Sequence, residues 1–187
     1  MKKLQFIGAL AISISIVACG GDSKSTDTTT TETAEPVETK VEDYKGMELA
    51  NLSDYGVEGS LQIPDKSKGP QKIQTSAIES IEIMVGNTFG IEVIPFGQTI
   101  AEKKAELDSD LVYSIEYIEE TPEKLLYKKT IKDSDIDPEF HFYLTRDLNG
   151  EPFSVQSLNK VYKQKWIEKM IVSAVSLTAN NPTYTKQ

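Results

Sequence analysis

Across residues 60–155, apolar and polar residues alternate in runs with a period of two, as expected of strands that bury one face. Ile81, Ile83 and Val85 alternate with Glu82 and Met84, and Ile91 and Val93 flank Glu92; Gly86-Asn87-Thr88 between the two runs predicts a hairpin. Residues 60–64 form a short apolar run closed by Pro64-Asp65, and the lysines, glycine and proline that follow predict a loop to Pro70. Tyr113, Ile115 and Tyr117 repeat the alternation, then Leu125, Tyr127 and Ile131, then Phe140, Phe142 and Leu144. Asn149-Gly150 is a two-residue hairpin turn ahead of Phe153 and Val155. Connections this short predict a mostly antiparallel sheet.

Two segments change to a helical period. Thr99-Ile100-Ala101-Glu102 has the form of a capping box, in which hydroxyl and carboxylate each satisfy a backbone donor at the other's position, and it predicts a short helix over residues 99–109. Later, Tyr162, Trp166, Met170 and Ala174 form one row at a spacing of four, beside Ile167, Ile171 and Val175, with lysines at 160, 163, 165 and 169 on the remaining surface. That stripe predicts a long C-terminal helix over residues 160–177, packed on one sheet face. The expected fold class is α+β, a single domain over residues 44–178. Ala179-Asn180-Asn181-Pro182 predicts a stop, and residues 179–187 a frayed tail.

Ahead of the domain the pattern differs. Two lysines precede an apolar run over residues 4–18, long enough for the core of an export signal and short for a membrane span. Ile16-Val17-Ala18-Cys19 resembles the lipobox of bacterial lipoproteins, and the resemblance implies that residues 1–18 are a signal peptide and that Cys19 is diacylated as the new N-terminus. Gly20, rather than an aspartate, follows the cysteine, and the resemblance then implies the outer membrane of the cell envelope. Which leaflet it faces is not encoded. Residues 20–43 hold nine serines or threonines, seven acids and three apolar residues, too few to offset chain entropy by burial. They predict a disordered tether; a glycosylated stalk or an acidic export determinant near Asp22 is the functional alternative.

The full chain of 187 residues carries 29 acids against 20 lysines and arginines, a charge of −9. Loss of the first 18 residues would take two lysines with it. Such a field opposes phosphate backbones, which argues against a nucleic-acid partner. One cysteine leaves no disulfide within the chain, one histidine leaves no site built on several imidazoles, and no cofactor-binding motif is present, so no cofactor is expected.

Four acids alternate in Asp133-Ser134-Asp135-Ile136-Asp137-Pro138-Glu139. The calcium-loop pattern requires glycine at the sixth place and glutamate at the twelfth, where Pro138 and Leu144 stand. A looser cation site or a face for a basic partner is the functional reading of Asp133, Asp135, Asp137 and Glu139; a solvated turn is the plain one. Glu82 and Glu92 would oppose each other if their strands paired symmetrically about Asn87, and such like-charge pairs destabilise a sheet. Either the face is solvated and the register differs, or a group such as Lys128 compensates, or the face binds a cation or a basic partner. His141 alternates away from Phe140 and Phe142, and without a nucleophile elbow it reads as a structural or exposed histidine. Tyr113, Tyr117, Tyr127, Phe140, Phe142 and Trp166 read as core, or as the lining of an apolar pocket.

Asn51-Leu52-Ser53-Asp54-Tyr55-Gly56, Ile63-Pro64-Asp65, Glu139-Phe140-His141-Phe142-Tyr143 and the last helix are similar to a group of bacterial lipoproteins with an antiparallel sheet and a C-terminal helix. More remotely, the order of elements and the closing Ile167-Glu168-Lys169-Met170-Ile171-Val172-Ser173 resemble the PsbP-type fold, which implies an accessory or assembly role without a catalytic centre. The expectation is a lipid-anchored envelope protein with a non-catalytic binding or accessory role toward an envelope protein partner, touching the membrane through its anchor. A carboxylate-based hydrolase of envelope glycans and a carrier of a small apolar ligand are the alternatives.

Overall fold

Residues 44–181 are described by a computed structural model and belong to one unit, Glu38–Gln187. The signal segment, Cys19, the tether over 20–43 and residues 182–187 lie outside the described residues. Along the chain run β1 (Met47–Asn51), β2 (Gly59–Pro64), β3 (Gln71–Thr75), β4 (Ile81–Val85), β5 (Phe89–Pro95), α1 (Ile100–Asp108), β6 (Tyr113–Glu120), β7 (Lys124–Ile131), β8 (Glu139–Leu148), β9 (Glu151–Ser157), α2 (Gln164–Val175) and β10 (Thr178–Ala179). They make a seven-stranded sheet in the order β3-β4-β5-β9-β8-β7-β6 and a three-stranded one in the order β1-β2-β10. Every pairing is antiparallel, and the fold class is α+β.

The period-two runs are why the large sheet has two unlike faces. On one face Ile81, Ile83, Ile91, Val93, Phe142 and Val155 are buried beneath the small sheet and α2, which contribute Leu61, Ile63, Ile167, Met170 and Ala174 to the same core. On the other face α1 covers only the β6–β7–β8 side, where Leu107 packs on Leu125, Tyr127 and Tyr143. Tyr143 donates to the Gln98 carbonyl at 2.7 Å and Tyr117 to Asp108 at 2.8 Å, which ties both ends of α1 to the sheet. The capping box forms as expected, with Thr99 accepting from the Glu102 amide and Glu102 from the Thr99 amide.

The C-terminal helix is shorter than its stripe predicts. It spans 12 residues, Gln164–Val175, and Lys163 before it is extended. Tyr162 is buried, yet it belongs to no helical row: its carbonyl accepts from the Phe140 amide at 3.1 Å, and its hydroxyl lies over Gly90. A backbone bonded to β8 cannot also close a helical turn, so the strand contact ends the helix early. Beyond α2 the expected stop is also displaced. Thr178 and Ala179 pair with Ser60 and Gly59, and the Asn180 amide donates to Glu58, so these residues are held rather than frayed.

Candidate functional site

Two hollows bear on function. The first lies where α2, the β1–β2 pair and the β4–β5 turn meet, and has a volume of about 250 Å³. Its lining is mixed, apolar and polar in about equal parts. Met47 and Pro64, cross-strand partners at the open end of the small sheet, form one side; Val85 and Phe89, partners at the β4–β5 turn, form another. Trp166 and Val172 line it from α2. Trp166 is the only tryptophan of the chain. Three lysines from separate segments, Lys45, Lys68 and Lys169, complete the lining with Gly46 and Thr88, and no carboxylate belongs to it.

Local structure fixes these lysines. Asp65 caps the turn that carries Lys68, accepting from the Ser67 amide at 2.8 Å, and those bonds hold its carboxyl below the usual range. Gly69, at φ +137°, then packs on Gly86 so closely that a Cβ on it would stand 2.7 Å from the Gly86 Cα. This contact presses the lysine turn against the β4–β5 turn. Lys45 precedes β1, and Lys169 sits one helical turn beyond Trp166. Among the described residues none of the three lysines has a carboxylate within ion-pair distance.

The second hollow, about 460 Å³, lies between α1 and the sheet and contains His141. The imidazole is buried, stacked on Tyr127, and braced by Ser157 Oγ at 2.9 Å from Nδ1 and Glu139 Oε2 at 3.4 Å from Nε2. Burial pushes its pKa down, against the pull of Glu139, and Lys129 and Lys103 add to the lowering. The order serine, histidine, glutamate has the elements of a proton relay. However, Ser157 is 6% exposed, and the acids around the cleft are already engaged. Glu92 accepts from Ser80 at 2.5 Å and Gln156 at 2.8 Å, Glu106 holds Lys103 at 2.8 Å, and Asp110 accepts two backbone amides. A cleft whose acids are engaged in this way is a brace for α1. A further hollow, about 940 Å³ along α1 and Pro122, is an open surface depression.

The acids singled out in the sequence do not converge. Asp133, Asp135 and Asp137 are exposed in the loop between β7 and β8, while Glu139 turns back to His141. Among the described residues no group of three or more His, Cys, Asp or Glu is placed to hold a metal ion. Glu82 and Glu92 do stand opposite each other, in the symmetric register. Neutral donors compensate them: Gln74 donates to Glu82 at 2.6 Å, and Ser80 and Gln156 to Glu92. Lys128 is instead bonded to its cross-strand partner Glu116 at 2.6 Å. Of the six aromatics, Phe142 is core, Tyr127 packs on His141, and only Trp166 lines the apolar pocket. Cys19 lies outside the described residues. The pocket lysines escaped sequence reading because they are far apart in the chain and follow no local period.

No family model matches the chain, and no curated protein and no solved structure matches it either.

Proposed function

We propose that this protein is a lipid-anchored protein of the cell envelope, at the outer membrane, whose folded part acts by binding, with the pocket under Trp166 as the site that takes a small apolar ligand. The single observation supporting this reading is a recessed hollow, walled by Met47, Pro64, Val85, Phe89, Trp166 and Val172, between elements that otherwise close on each other. Apolar walls with a few convergent polar groups are the usual build of a ligand site. At about 250 Å³ the pocket is slightly below the range of drug-sized sites, roughly 300–1,000 Å³, and suits a short chain or a single ring. Each methylene moved from water into it contributes about 0.8 kcal/mol. The signal segment and Cys19 support the anchored half of the reading.

The lone tryptophan makes the test direct. The full chain, reconstituted in phosphatidylcholine vesicles, is titrated with octanol while Trp166 emission is followed. Binding is expected to shift the emission saturably. A response that grows only as octanol enters the lipid, and is equal in a Val172→Phe variant whose pocket is filled, would contradict the reading.

A further inference from the structure

We infer that the pocket selects a single-chain anionic amphiphile, a carboxylate or phosphate monoester bearing a short alkyl chain, and that Lys45, Lys68 and Lys169 hold its head group. This rests on the proposed binding role and adds the ligand's charge to it. Three cations converge on a hollow that has no carboxylate in its lining, within a chain whose formal charge is −9. Lys103, Lys104, Lys124 and Lys128 each reach a glutamate at 2.6–2.8 Å, whereas the pocket lysines, like Lys72 and Lys160 among the described residues, form no such pair; what distinguishes them is that three line one hollow. Asp65 is the acid that acts on Lys68: one of its oxygens caps the turn by accepting from the Ser67 amide, and its charge partly offsets the Lys68 ammonium, so Lys45 and Lys169 carry more of the head-group field. Lys163, whose ammonium is 5.9 Å from the Trp166 ring, adds a fourth cation beside the indole.

The geometry separates the two ends of such a ligand. Ammonium groups on flexible stems suit a compact anion, which they meet as point charges rather than through a planar fork. The indole, Phe89, Met47 and Val172 offer the chain a dry wall. A neutral alcohol would use only the wall, and an alkylammonium would meet like charge. Exposed lysines interact through screened fields, so the preference for the anion must weaken as salt rises.

The experiment uses the full chain in phosphatidylcholine vesicles, with Trp166 emission read against free ligand concentration. Octanoate, octyl phosphate, octanol and octylamine share one chain and differ in head group. The anions are expected to bind at least tenfold more tightly than octanol at low salt, and octylamine not at all. The Lys68→Gln, Lys169→Gln double variant should weaken octanoate at least tenfold, to the level that the wild type shows for octanol. A preference for octanoate identifies a fatty-acid type of ligand, and a preference for octyl phosphate a lipid phosphate monoester; each supports the inference. Equal binding of octanol and both anions overturns it while leaving the apolar site standing. No response to any of the four overturns both. If anionic vesicles shift the emission and soluble anions do not, the lysines face a membrane surface, and the inference is likewise overturned.

Discussion

Glu82 and Glu92 face each other across β4 and β5, and what makes this tolerable is a row of neutral donors on both sides: Gln74, Ser80 and Gln156. Hydrogen bonds to a charged acceptor are worth about 1.5–3 kcal/mol. Ser80 is fully buried, so Ser80→Ala should cost about that much in urea unfolding of the full chain. In a Glu92→Gln background, where the repulsion is gone and the bond is neutral, the same change should cost less than half; equal costs in both backgrounds would show that the serine does not serve the carboxylate. His141 makes a second prediction at this scale. Its folded pKa is depressed by burial below the ordinary value of about 6.5, so the unfolded chain binds the proton first. The stabilisation from a neutral His141 is therefore complete above about pH 6.5 and declines as pH falls from there toward the folded value. Unfolding free energies of the wild type and His141→Gln should converge between about pH 7.5 and about pH 5. A constant gap between them would mean that the imidazole is not held neutral.

Elements are locked to one another where backbone groups would otherwise lack partners. β10 pairs with β2 only at Ser60 and Gly59, and the next outward-facing backbone groups, those of Gln62, are taken by α2: Ser173 donates to the Gln62 carbonyl, and Ser176 accepts from the Gln62 amide at 2.7 Å. Arg146, the chain's single arginine, reaches the Val175 carbonyl at 2.5 Å at the end of the same helix. Ser173 is completely buried, so Ser173→Ala strands a carbonyl and should cost about 1–3 kcal/mol by chemical denaturation, whereas Ser67→Ala on the exposed turn should cost under about 0.5 kcal/mol. Similar losses for the two would remove helix-to-strand bonding as the lock. These long-range bonds also mark the boundary of what the chain reveals locally. The Ile81–Val93 alternation and the Thr99 capping box are interactions within a few residues, and both appear as patterned. β3 is not patterned, since Gln71, Lys72, Gln74 and Thr75 surround one Ile73 at a sheet edge that needs little burial. The first turn of the predicted C-terminal helix is absent because Phe140, 22 positions earlier, claims the Tyr162 carbonyl. The pocket was least legible of all: Trp166 was visible as an aromatic in a stripe, but nothing near it in sequence announces Lys45 or Lys68.

At the scale of the whole molecule, charge is segregated. The ion-paired lysines cluster about α1, β6 and β7, whereas the pocket lysines, just before β1, on the adjoining turn and on α2, form no close ion pair among the described residues. The binding surface thus draws only on residues 45–172, and the proposed anchor only on Cys19. The two roles should therefore separate genetically. A single acyl chain holds a protein to a membrane marginally, and two make the hold stable, so a diacylated Cys19 would be sufficient by itself. Replacing Cys19 with alanine in the full chain should abolish incorporation of labelled palmitate and release the protein from envelope membranes during a high-salt, alkaline wash that leaves the wild type in place. The Trp166 response to octanoate should persist in the released protein at an affinity within about twofold, because no wall of the pocket has changed. Retention of the alanine variant on washed membranes would transfer the anchor to the apolar run at residues 4–18, and loss of the Trp166 response on release would mean that the site is completed by the membrane rather than by the fold.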